Sequence, residues 1–314
     1  MNGPESPPSR PAPSPATSPA PVDRRTHRPL SAILLVVAAV SCFGVLDTTT
    51  KTVVAAVPVL MAVWVRYVIQ ALLSTALLWP AQGRALWHTH RPWMHALRGC
   101  LLLGSSLFAF ASLKFIPVGE FTAIVMITPL VITLIANRFM HEQVSAWRWF
   151  FVFGGFAGAL LIIRPGGEGF SAAWLLPVVV VVFNSGFQLL TSVLARTENP
   201  STTHFYTGWV GTAIATLALP FVWTAVDDPT LWLRMLLMGV MGALGHFCLT
   251  IAYTRAPAAM LTPYLYGQIG TAMLTGWLVL GHVPDRWGVA GMLVIAVCGG
   301  ASGWLNARAT RRAN

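Results

Sequence analysis

Residues 41–67 read SCFGVLDTTTKTVVAAVPVLMAVWVRY, and they decide the fold because Asp47, Lys51 and Arg66 sit in or beside segments otherwise apolar enough for a lipid bilayer. Arg66 lies well inside the apolar run 58–79. A charge at such depth costs about 2.5–3.5 kcal/mol on insertion scales, so it needs a counter-ion or a polar interior. Two readings follow. Either Arg66 belongs to an ion pair that locks two helices, or it forms one wall of a solute cavity, the default for ionisable groups at membrane depth.

Outward from this stretch the chain stays greasy. Hydrophobic residues make up 55% and charged residues only 10%, with a mean hydropathy of +0.67. Soluble domains run near 45–50% apolar and about 25% charged, so the composition describes a polytopic membrane protein. The net charge of +10 would suggest nucleic acid in a soluble chain; a membrane protein needs basic loops to set its orientation. Cys42, Cys100, Cys248 and Cys298 all fall in apolar runs without metal-ligand spacing, which marks packing residues.

Residues 1–29 are rich in Pro, Ser and Ala and end in Arg24, Arg25 and Arg28; with so few large apolar groups they read as a disordered tail. Ten apolar runs follow, at about residues 30–50, 58–79, 96–115, 118–137, 147–163, 174–194, 205–224, 231–253, 260–280 and 287–306. Each approaches the ~20 residues a spanning helix requires, and backbone satisfaction in lipid makes runs of this length helical. The tight joints at Ile116-Pro117 and Arg255-Pro257 make the third and fourth spans, and the eighth and ninth, into hairpins. With the N-terminus cytoplasmic, fourteen of the twenty Lys and Arg residues fall inside and only Lys51, Lys114, Arg164, Arg234 and Arg286 outside, leaving Arg66 at depth. That bias places both termini in the cytoplasm. The bases are spread over every inner loop, which argues against nucleic acid as a partner.

A shift of 140 residues aligns Pro117 with Pro257, Thr122 with Thr262, Leu134 with Leu274 and Trp147 with Trp287. Five helices per half is an odd number, so the halves must insert with opposite orientation. The expected architecture is an all-α polytopic membrane protein of ten transmembrane helices in two inverted five-helix repeats. Residues 30–164 and 165–306 form the repeats, and 307–314 a basic cytoplasmic tail. Inverted repeats point to a secondary transporter with its site near the midplane between them.

The topology gathers Asp47, Lys51, Arg66, Lys114 and Glu120 in the outer half of the first repeat. Opposite charges there reduce one another's desolvation cost, a charged solute can replace one partner, and Asp47 or Glu120 is a candidate proton carrier. In the second repeat the deep polar groups are Asn184 and Gln188, four apart on one helix face, His246, and Tyr264, Tyr266 and Gln268 beside Pro263 and Gly267. A planar solute can stack on tyrosines while amides orient it; hydrogen bonding between helices is the plainer alternative for each of these residues. The substrate-binding candidates are therefore Asp47, Arg66, Glu120, Asn184, Gln188, Tyr264, Tyr266 and Gln268.

No GxxxxGK[ST] phosphate loop occurs, and His88, His90 and His95 on the first inner loop lack the acidic or Cys companion that metal binding needs. No catalytic residue, cofactor or metal is expected; the expected partners are a small-molecule solute, the lipid bilayer and coupled protons. The rival classes are an integral membrane enzyme acting on lipid-borne groups, which only the His88 loop could serve, and an accessory subunit whose polar stripes pack against one another. The small-residue ridges Gly154/Gly158, Gly239/Gly242/Gly245 and Gly299/Gly300/Gly303 read as seams of close helix approach.

The chain resembles the drug/metabolite transporter superfamily in its ten-helix EamA-type branch. The first half carries SCFGVLDTTTK, PVLMAVWVRY, ASLKFIPVGEFTAIVMITPLVITLIANRFMHEQV and LLIIRPG; GALGHFCLTIAYTRAPAAMLTPYLYGQIGTAMLTGWLVLGHVPD in the second half is similar to the same hairpin. The resemblance covers about residues 30–306. His282 departs from it, standing where the first half has Glu142. The resemblance implies proton- or gradient-coupled movement of small organic metabolites through a cavity between the repeats, in a bacterial cytoplasmic membrane. Members with Asp in helix one and Arg in helix two include importers of riboflavin or S-adenosylmethionine and exporters of amino acids, metallophores or drugs. Asp47, Arg66 and the helix-nine stripe carry over as cavity candidates.

Overall fold

The computed structural model describes residues 29–132, 135, 146–164, 170–194, 197–256, 261 and 264–313. The expected disordered tail, Pro257, Thr262, Pro263 and Glu142 lie outside the described residues. All regular elements among the described residues are helical. In chain order the α-helices are α1 Pro29–Val54, α2 Val59–Gln82, α3 Pro92–Phe115, α4 Val118–Val125, α5 Ala146–Ile163, α6 Leu176–Leu194, α7 Pro200–Ala218, α8 Pro229–Arg255, α9 Gly267–Leu280 and α10 Arg286–Ala313. Six of them, α1, α2, α3, α6, α8 and α10, are long and apolar enough to cross a membrane; α5, α9 and the stretch Val118–Ile132 that begins with α4 are shorter apolar helices. α7 is more polar because its first turns present Thr202, Thr203, His204 and Thr207 to the interior. The last helix runs to Ala313, past the end at 306 expected for the final span.

Local chemistry sets the helix starts. Asn199 caps α7 by accepting from the Ser201 N–H at 2.9 Å, and Asp228 caps α8 by accepting from Thr230 at 2.8 Å, each followed by proline at the first helical position. Asp285 accepts from the Gly288 N–H at 2.7 Å at the head of α10 and pairs with Arg164 at 2.8 Å. The Gly288 N–H first, and the Arg164 guanidinium after it, hold this carboxyl below the usual range. α9 closes on Gly281 in the left-handed conformation, φ 68°.

Two large buried apolar cores stand out among five clusters in the bundle. One joins α1, α2, α3, α6, α7 and α8, with Tyr67, Met61 and Met235 among its most buried members; the other joins α4, α5, α9 and α10 through Ile124, Leu130, Ile162, Ile269 and Ile295. Each core draws helices from both halves of the chain, so neither half is packed as a unit of its own. A third apolar cluster bridges the two through α3, α4, α6 and α9, and where α1 meets α9 the contact is lined by hydroxyls and small residues. Thr48 and Thr275 bond across it at 2.7 Å, Thr271 donates to the Val40 carbonyl at 3.0 Å, and Thr275 to the Gly44 carbonyl at 3.1 Å.

The expectation that small residues serve close approach holds at α5 and α10. A Cβ on Gly158 would meet Ile295 at 2.8 Å and the Gly291 carbonyl at 2.9 Å, and one on Gly299 would fall inside the Tyr266 ring. Gly299→Ala should therefore force Tyr266 from its seat, costing about 1–3 kcal/mol by overpacking, whereas nothing lies within 4 Å of a Cβ on Gly300. Thermal unfolding in detergent checks the pair: the midpoint should drop by several degrees for Gly299→Ala and hold for Gly300→Ala.

Candidate functional site

The fourth and ninth apolar runs, each read from the sequence as one span, are both interrupted. After Val125 the chain makes a turn at Met126 and Ile127 before helix resumes. Pro129 has no N–H to offer the Val125 carbonyl, and the Thr128 hydroxyl supplies the missing donor at 2.6 Å. In the second half the turn falls at Tyr266, three residues after Pro263, and α9 starts at Gly267. Met126 and Tyr266 are 140 positions apart, the same shift that aligns Pro117 with Pro257.

Asp47 lies between these two interruptions. Its Oδ2 accepts from Thr122 Oγ1 at 3.3 Å, on α4 just ahead of the first turn, and from Gln268 Nε2 at 3.5 Å, just past the second. Both contacts are long and neither partner is charged, so the carboxylate is loosely held and has capacity for a further donor. It is half-buried in α1.

Arg66 faces the neighbouring wall, built from α2, α3 and α8. Only 3% of the residue is exposed. Nη1 donates to Ser106 Oγ at 2.7 Å, Nη2 approaches His246 Nε2 at 3.4 Å, and the guanidinium lies 5.2 Å from the Tyr67 ring centre and 5.9 Å from that of Phe110. The Arg66 Nε has no hydrogen-bond partner. Gly242 provides the notch, since a Cβ there would come within 3.2 Å of that nitrogen. Of the two readings of Arg66, the ion pair finds no support: among the described residues no carboxylate lies within 4.0 Å of it. Asp47 is in electrostatic range of Arg66 yet turned to α4 and α9. A buried guanidinium with neutral neighbours and an unused N–H is a donor awaiting an acceptor.

The rest of the expected outer charge cluster disperses. Lys51 donates to the Leu113 and Ile116 carbonyls at 2.9 and 2.8 Å, closing the C-terminus of α3. Lys114 is exposed. Glu120 is 6% exposed and pairs with His282 Nε2 at 3.1 Å, so the histidine that breaks the repeat pattern has a partner of its own. Beside this contact a hollow of about 330 Å³ is lined by Lys51, Pro117, Gly119, Met273, Gly276 and His282, among others.

Of the other candidates, Asn184 and Gln188 touch each other at 3.5 Å on α6, half-buried. Tyr264 is 42% exposed and makes no stripe with Gln268, which is turned to Asp47; Tyr266 is 6% exposed, its ring seated on Gly299 and its hydroxyl unpartnered. The three loop histidines also part company, because His95 belongs to α3, is 1% exposed and sits 3.6 Å from Glu198. Among the described residues no three His, Cys, Asp or Glu side chains group as metal ligands would.

Sequence reasoning missed Ser106, Thr122 and Arg98. Arg98 was counted with the inner loops, but its guanidinium is buried in α3, donating to Thr191 at 2.7 Å, to the Thr203 carbonyl at 3.2 Å and to the Thr207 hydroxyl, and stacked 4.2 Å from Phe187. It ties α3 to α6 and α7. The available signal was its position, six residues into a helix opened by Pro92.

Comparison with known proteins adds lineage to this geometry. The model of the EamA-like transporter family matches residues 30–164. A riboflavin transporter of Vibrio cholerae is 29% identical over 277 residues, covering 86% of this chain and 93% of that protein. A riboflavin transporter of Rhizobium johnstonii is 32% identical over 262 residues, covering 81% and 84%. One solved crystal structure superposes with a TM-score of 0.65 at 20% identity over 90% of this chain and 99% of that one, a likeness of fold.

Proposed function

The chain belongs to the EamA-like transporter family and is a membrane transporter of small metabolites; from that premise we propose that it carries a riboflavin-like heterocycle by alternating access, between the Arg66 wall and the Asp47 wall. The observation that carries this reading is Asp47, bonded on one side to Thr122 and on the other to Gln268, at two helix interruptions 140 residues apart. Interrupted helices in corresponding positions of two halves are where transporters of repeated design hold their solutes, because the opened backbone exposes polar groups at membrane depth. The same correspondence supports ten spans in two inverted repeats, 30–164 and 165–306.

Arg66 offers a donor through its unpartnered Nε, and Asp47 offers an acceptor. An isoalloxazine edge presents carbonyl oxygens flanking an imide N–H, so the two walls suit its two kinds of group. The hydroxyl-lined contact of α1 with α9 supplies the sliding surface, and the Glu120–His282 contact closes one end. Asp47 is the proton-loading group in this scheme, which makes accumulation gradient-driven. The arginine bias supports a bacterial inner-membrane protein with both termini in the cytoplasm.

Flux of labelled riboflavin into sealed vesicles, with and without a proton gradient, tests the proposal. Saturable accumulation that unlabelled flavin competes away and S-adenosylmethionine does not is the expected result. Absence of riboflavin flux in vesicles that move another solute overturns the flavin assignment.

A further inference from the structure

We propose that the groove at the end of α2 binds the phosphate headgroup of an anionic phospholipid. The groove encloses about 410 Å³ and is lined by Trp79, Arg84, Trp87 and His88. It shares no residue with the Arg66 and Asp47 walls, so it stands independently of the transport reading.

The turn that forms the groove is rigid. Gly83, at φ 48°, lets the chain leave α2 and enter the 3-10 turn Gly83–Trp87, its N–H bonded back to the Trp79 carbonyl. Leu86 is fully buried beside Leu78 and Phe205. The Trp87 ring meets Phe205 edge-on at 5.0 Å and Tyr206 at 6.4 Å, while the Tyr206 hydroxyl donates to the Trp87 carbonyl at 3.0 Å. Trp87 is nevertheless 55% exposed and Trp79 45%. Two tryptophans fixed at the end of a span are placed where indole rings meet the headgroup layer, with their N–H groups available as donors.

The charge of the groove is uncompensated. Arg84 and His88 are exposed, and no carboxylate lines the hollow. Glu198, the acid closest to this connection among the described contacts, is occupied by the His90 N–H at 3.2 Å and by His95. A guanidinium fork matches a phosphodiester oxygen pair. The exposed side chain of Leu72, seven residues before Trp79 and so on the same face of α2, continues from the groove and offers an acyl chain a path that a free phosphate would not use. Basic pockets at such span ends suit anionic headgroups.

Native mass spectrometry and thermal unfolding of the purified full chain test the assignment, with phosphatidylglycerol, phosphatidylcholine of the same acyl chains and inorganic phosphate as separate probes. Wild type should retain a phosphatidylglycerol adduct and unfold several degrees higher with that lipid. Arg84→Gln/His88→Gln should weaken retention about fivefold, while Arg234→Gln, at an exposed arginine in the second turn of α8 and outside the groove, removes the same charge and should not. Equal retention by the double variant, equal loss in the Arg234→Gln control, equal stabilisation by phosphatidylcholine, or the same shift with inorganic phosphate alone overturns it.

Discussion

Arg66→Ala lowers solute uptake about 10- to 100-fold while the protein still inserts and unfolds near the wild-type temperature. The magnitude follows from the loss of a charge-assisted donor to the solute, worth about 1.5–3 kcal/mol, at 1.4 kcal/mol per tenfold. Insertion survives because no carboxylate among the described residues pairs with this buried cation, so no opposite charge there is stranded by its loss. Arg66→Lys discriminates further: it keeps the charge but loses the fork that reaches Ser106 and His246 together, and should fall between wild type and Ala. Uptake by radiolabelled solute and expression by in-gel fluorescence check both. Normal uptake by Arg66→Ala would remove the residue from the site.

Asp47→Asn separates coupling from passage. The amide keeps an oxygen to accept from Thr122 and Gln268 and the same shape, but it cannot take up and release a proton. Accumulation against a gradient should vanish, while solute exchange between loaded vesicles and medium persists within about tenfold of wild type, a loss of about one hydrogen bond. Persistence of both would show that the coupling proton rides elsewhere; loss of both would make Asp47 a solute contact alone.

The residues that could be read from the sequence are those whose chemistry clashes with their surroundings. Arg66 and Asp47 stood out because a bilayer penalises them, and that penalty is a local property of the chain. Their partners could not be read that way. Ser106 and His246 are 40 and 180 positions from Arg66, and a serine in an apolar helix is ordinary. Of the two readings of Arg66, charge pairing does not describe its neighbours, which among the described residues are hydroxyl, imidazole and aromatic faces. For Glu120, the neighbour that matters was visible only as an oddity, His282 in a place where the first half has Glu142. The interruption of the fourth run was signalled by Pro129 but masked by unbroken hydropathy, since a turn buried among helices keeps its apolar side chains. The pairing of helices from both halves into two cores depends on how faces fit across the bundle, which periodicity within one helix does not encode. Family motifs along both halves supplied the transporter class that no single residue did.

Thiol labelling at Ser106→Cys tests the central claim most directly, namely that the space beside Arg66 is wet and holds the solute. In a background with Cys42, Cys100, Cys248 and Cys298 replaced, a small water-soluble methanethiosulfonate reagent should modify this position in transport-competent vesicles, and saturating solute should slow that modification. A cysteine there that stays unmodified from both sides of the membrane, or reacts at the same rate with solute bound, would contradict the account.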